Sequence, residues 1–88
     1  MLEKVKRALR IMNDFYDEEI LDLIEACKID LQIAGVMVDE TNPLIVRAIV
    51  VYSRANFGLE NPDHDKLNLS YVSLKQHLSL SSEFRANV

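Results

Sequence analysis

Val5, Ala8, Leu9 and Met12 fall at offsets 0, 3, 4 and 7, the spacing that lines up side chains on one face of a helix. They predict a short first helix over about Glu3 to Met12, with Lys6, Arg7 and Arg10 on its other face. Asn13-Asp14-Phe15-Tyr16 reads as a connection whose two aromatics tuck against the remaining elements. Ile20, Leu23, Ile24, Cys27, Leu31 and Ala34 then follow at offsets 0, 3, 4, 7, 11 and 14, a single buried seam. Asp17 is placed to cap this second helix, and Glu18 and Glu19 suit its positive end. Asp22, Glu25 and Lys28 decorate the outside. Gly35 ends the helix if it takes a left-handed conformation; the alternative extends the helix through Val36-Met37-Val38.

The third pattern is different in kind. Asn42 and Pro43 form a helix start, the first as cap and the second at a position where its missing N–H is harmless. Leu44 to Tyr52 then runs apolar almost all round, broken only by Arg47. A helix with so little polar surface must be covered by others, so the segment from about Pro43 to Phe57 is expected at the centre of the domain. Its β-branched residues also permit a buried strand, but length and cap favour helix. Asn61-Pro62-Asp63 marks a turn. Leu67, Tyr71, Leu74 and Leu78, at offsets 0, 4, 7 and 11, predict a last helix over about Asp65 to Leu78. Serines weaken the helical signal beyond it, and residues 80–88 read as a flexible tail unless a partner orders them.

The fold class is therefore all-α, a small bundle of about four helices in a single domain over residues 1–88, with a flexible C-terminal tail. A chain of 88 residues that is 49% hydrophobic, with only two Gly and two Pro, is not a disordered composition. Its core is thin for its size, so good helix packing or a covering partner is expected. Charged residues interrupt the N-terminus, which argues against a signal peptide. The longest apolar run is too short to span a bilayer. Both observations make an intracellular soluble protein the default and leave no expectation of a membrane partner.

Charge is unevenly spread. Residues 1–16 carry four Lys/Arg and two acids, whereas residues 17–40 carry eight acids against Lys28 alone. No long basic stripe exists to displace counterions from a nucleic acid. The acidic stretch suits a solvated face, a channel lining that repels phosphate, or a basic partner.

Candidate chemistry is sparse. Cys27, the one cysteine, sits on the apolar seam and reads as core. Asp63-His64-Asp65 gathers three metal-binding residue types, but neighbours in a loop rarely converge on one ion, and His77 is the one other histidine. Nothing arranges Ser, His and Asp as a triad, and no glycine-rich phosphate loop occurs. No catalytic residue, metal site or cofactor is expected. A helix-turn-helix regulator would need polar or basic residues on its recognition helix; here the central helix is too apolar and the preceding one too acidic.

The order of landmarks carries a resemblance. Val5-Lys6-Arg7-Ala8-Leu9-Arg10-Ile11 is followed by Asp17-Glu18-Glu19-Ile20-Leu21-Asp22-Leu23-Ile24-Glu25-Ala26-Cys27. Asn42-Pro43-Leu44, the apolar helix to Tyr52, and Phe57-Gly58 come next. Tyr71-Val72-Ser73-Leu74-Lys75-Gln76-His77-Leu78-Ser79-Leu80-Ser81-Ser82-Glu83-Phe84-Arg85 closes the series. Over nearly its whole length the chain resembles the small head–tail connector proteins of long-tailed bacteriophages and prophages, also described as DNA-packaging proteins. The resemblance implies a structural role without catalytic residues. Copies would form a ring of about a dozen beneath the portal protein, and DNA would pass through the lumen without sequence-specific binding. The ring would complete the packaged head and receive a downstream head-completion or tail protein. Its setting would be the neck of the virion, or an assembly intermediate in the bacterial host cytoplasm. Portal docking is carried onto Leu80, Ser81, Ser82, Glu83, Phe84 and Arg85. Lys4, Lys6, Arg7 and Arg10, and Asp17, Glu18, Glu19, Asp22 and Glu25, are candidates for the subunit interface or the lumen. The neighbouring readings are another small phage morphogenesis or packaging helper and a helical DNA-binding regulator.

Overall fold

The computed structural model describes residues 1–85. Four helices follow one another: α1 (Leu2–Leu9), α2 (Asp17–Ile33), α3 (Pro43–Asn56) and α4 (His64–Leu80). The apolar α3 touches all three others, α1 and α2 also pack together, and the principal contacts of α4 are with α3. Tertiary position thus follows from composition, because the helix with least polar surface is the one most surrounded. Among the described residues the one piece of extended pairing is an isolated antiparallel bridge between Val36 and Arg85.

Helix ends follow local chemistry. Asn42 Oδ1 accepts from Leu44 N–H at 2.9 Å and Pro43 opens α3, as expected. Gly35 has φ 83°. Its N–H reaches Gln32 O at 3.0 Å while Val36 N–H reaches Leu31 O at 2.9 Å, the paired bonds of a left-handed helix stop. This settles the boundary against the extension to Val38. Arg10 makes the same kind of stop after α1 with φ 61°, bonding to Arg7 O while Ile11 N–H bonds to Lys6 O.

That early stop corrects two expectations. The first helix ends at Leu9, and Met12 is 99% exposed instead of completing the seam. In the following connection Tyr16 stacks edge-on against Phe57 at 5.4 Å, but Phe15 is 88% exposed. Asp17 is not the cap of α2: it is the first helical residue, and its carboxylate turns to Lys6.

The core comprises Val5 of α1, the seam Ile20, Ile24, Cys27 and Leu31 of α2, Ile45, Ala48 and Ile49 of α3, and Tyr71 and Leu78 of α4. Val36 and Phe84, which lie outside every helix, complete it. Phe84 overturns the flexible-tail expectation over residues 80–85. Here α4 continues through Leu80, the chain turns as Phe84 N–H bonds to Ser81 O at 3.1 Å, and Met37 N–H bonds to Phe84 O at 2.6 Å. Only 8% of Phe84 is exposed. Burying an aromatic ring stabilises by a few kcal/mol, which together with the two backbone bonds offsets part of the entropy of ordering the segment. The rest of the expected tail, residues 86–88, lies outside the described residues.

Candidate functional site

Two charged strips and one groove distinguish the surface. On α1, Lys4 and Arg7 are exposed one turn apart, and Arg10 is exposed at the helix stop. On α2, Glu18, Asp22 and Glu25 are exposed at offsets 0, 4 and 7 and so form a stripe. Among the described residues, Lys4, Arg7, Arg10, Glu18 and Asp22 have no ion-pair partner. Glu19 accepts weakly from Gly58 N–H at 3.4 Å. Glu25 meets Lys28 at 3.3 Å, and Lys28 also lies 3.7 Å from Glu40.

Lys6 behaves differently. The connection after α1 folds over it, leaving 6% exposed, with its Nζ 2.8 Å from Asp14 Oδ1 and 2.9 Å from Asp17 Oδ1. Donation to the Asp14 carboxylate, with the Asp17 carboxylate beside it, keeps its ammonium charged well above the ordinary lysine range. Lys6 and Asp17 therefore meet each other within the chain, whereas Lys4, Arg7, Arg10, Glu18 and Asp22 remain exposed.

The groove runs between α2 and α4, over α3, with a volume of about 420 Å³. Ile29, Ile33 and Val72 line it with Tyr52 and Tyr71, and the first three leave 54%, 81% and 36% of their surface exposed. The Tyr52 and Tyr71 rings meet edge-on at 5.1 Å. Tyr71 O–H donates to Asp30 Oδ2 at 2.6 Å and Lys75 Nζ donates to the same oxygen at 3.0 Å, while the Lys75 ammonium lies 5.4 Å from the centre of the Tyr71 ring. Cys27 Sγ sits 3.7 Å from Tyr71 Oη. Burial pushes the Cys27 thiol up to about 12, and burial together with the bond to Asp30 pushes the Tyr71 phenol up as well. Burial alone would raise Asp30, but Tyr71 and Lys75 outweigh it and hold the carboxyl below its usual range. Cys27 and Tyr71 thus keep their protons at neutral pH, and the network stiffens the groove instead of presenting a nucleophile.

Sequence reasoning missed this groove because it treated each helix by its seam. Ile29 and Ile33 stand off the α2 seam, and large apolar residues displaced from a seam are the available signal. The expected portal-docking segment is divided: Phe84 is inside, Ser81 is half-buried, and Leu80, Ser82, Glu83 and Arg85 face outward. Of the Asp63-His64-Asp65 triplet, His64 Nδ1 lies 2.7 Å from Ala55 O. Among the described residues no group of three metal-binding side chains converges, and no helix is long and apolar enough to cross a membrane.

The described surface thus carries two charged strips, an apolar groove and a partly exposed C-terminal turn. No curated protein and no solved structure matches the chain. The model of one family, described as phage connector protein, matches residues 1–85, the whole of the described fold. The chain belongs to that family, and its role is that of a connector in phage morphogenesis.

Proposed function

We propose that the chain is a head–tail connector subunit that assembles as a ring beneath the portal, completes the packaged head and offers the attachment site for the tail. The observation that carries the reading is the family match over residues 1–85. The fold supports it: the subunit measures 39 × 24 × 18 Å, and it carries a basic and an acidic strip on different helices. Heterologous pairing of unlike surfaces is what builds closed rings. Its partners are the portal protein, further copies of itself and a downstream head-completion or tail protein. DNA passes through the lumen without sequence-specific contacts, since no basic stripe long enough to hold a duplex exists.

Portal docking is assigned to the C-terminal turn, through its outward residues Leu80, Glu83 and Arg85. Phe84 supports them from within by anchoring the turn to the core. Electron microscopy of the purified subunit mixed with the portal encoded in the same genome tests the function. A coaxial ring added to the portal is expected; a portal left bare at high subunit concentration would overturn the connector reading in favour of another morphogenesis step.

A further inference from the structure

We propose that the subunit carries both halves of one heterologous interface: α1 and its following connection dock along α2 and into the α2/α4 groove of a second copy. This rests on the connector reading and names the surfaces that would join its copies. The first half is basic and then apolar, with Lys4, Arg7 and Arg10 followed by Met12 and Phe15. The second half is acidic and then apolar, with Glu18, Asp22 and Glu25 followed by Ile29 and Ile33.

Dimensions agree as well as sign. At about 1.5 Å per residue, Lys4 to Arg10 spans about 9 Å and Glu18 to Glu25 about 10 Å. Aligned in parallel, the two halves set cations against acids, and the exposed Met12 and Phe15 that follow Arg10 are offered to the apolar groove that follows Glu25. Met12 and Phe15 are exposed at 99% and 88%, a cost in water that a partner's groove removes. They are not loosely held, because Phe15 N–H bonds to Asn13 Oδ1 at 3.1 Å and Lys6 ties down Asp14 between them. Phe15 stands near the start of α2 and the groove lies in its second half, about 20 Å further along, so the two halves meet only between copies.

Charge reversal in mixed pairs tests this. Lys4→Glu/Arg7→Glu/Arg10→Glu makes one variant and Glu18→Lys/Asp22→Lys/Glu25→Lys another, all at exposed positions. Association is read by sedimentation at high concentration and by microscopy on the portal. Each variant alone is expected to associate at least about tenfold more weakly, because like charges then face each other. An equimolar mixture restores opposite charges at every contact and is expected to return to within about threefold of wild type. Phe15→Asp and Ile33→Asp should each weaken association while leaving the helical circular dichroism of the monomer unchanged.

Reversed variants that ring the portal as well as wild type would overturn this interface and leave the connector reading standing. Variants that fail and are not rescued by mixing would also overturn it, assigning the strips to a different partner. Wild-type subunits that associate in solution, with rescue by mixing, yet leave the portal bare would support the interface and overturn the connector reading. Wild type that neither associates nor rings the portal would overturn both.

Discussion

Ser53 is wholly buried, and its hydroxyl has no hydrogen-bond partner among the described residues. A buried unsatisfied hydroxyl is a net cost, and replacing the hydroxymethyl side chain by the methyl of alanine removes the penalty with a small loss of volume. Ser53→Ala is expected to raise stability by about 1 kcal/mol, read as a higher midpoint in chemical denaturation. An unchanged or lower midpoint would mean that the hydroxyl is satisfied in solution. Asp30 sets a second expectation at this scale. Because its carboxyl is held below the ordinary range when folded, its contribution is present above the unfolded value of about 4 and is lost as pH falls through the lower folded value. Asp30→Asn should therefore destabilise at pH 7 and do so progressively less towards acid. Denaturation midpoints for both proteins that stay parallel across that range would show that Asp30 does not titrate as described.

At the scale of elements, the segment after α4 is a clasp on the core. Phe84 sits with Val36 in the core, and the Met37–Phe84 backbone bond and the Val36–Arg85 bridge hold the two segments together. Phe84→Ala removes a ring that is 8% exposed and should cost about 3 kcal/mol, visible as a lowered melting temperature. A change within experimental error would show that the segment is loose in solution. It follows that cutting the chain after Ser79 would confound docking with stability. Leu80→Glu and Arg85→Glu change outward-facing groups instead. They should leave the melting temperature within a degree or so of wild type, as surface substitutions do, while lowering occupancy of the portal in a pull-down. Undiminished occupancy would remove the C-terminal turn from the docking surface.

The whole molecule shows what could be read from the linear chain and what could not. Four helices, the central place of α3 and the Asn42 cap were legible because each depends on residues within a turn or two of one another. The buried seam of α2 was legible for the same reason, since 3.6-residue periodicity is a local property. Gly35 was one of two open ends for α2 until its left-handed φ decided between them. Met12 was misplaced because a left-handed Arg10, an uncommon choice for a residue with a side chain, ends α1 before the pattern does. Charge polarity between residues 1–16 and 17–40 was plain in the sequence, but its division into an internal Lys6–Asp14–Asp17 cluster and two exposed strips was not. That division depends on how the connection after α1 folds back. The groove and the Phe84 clasp belong to the same class. Ile29 and Val72 line one groove, and Phe84 joins Val36 in the core, across tens of residues of intervening chain. Sequence by itself determined which helices form and which face each buries, because those follow from short-range bonding and periodicity. Tertiary structure alone decided which apolar and charged groups remain outside, because that is settled by what the other helices have already covered.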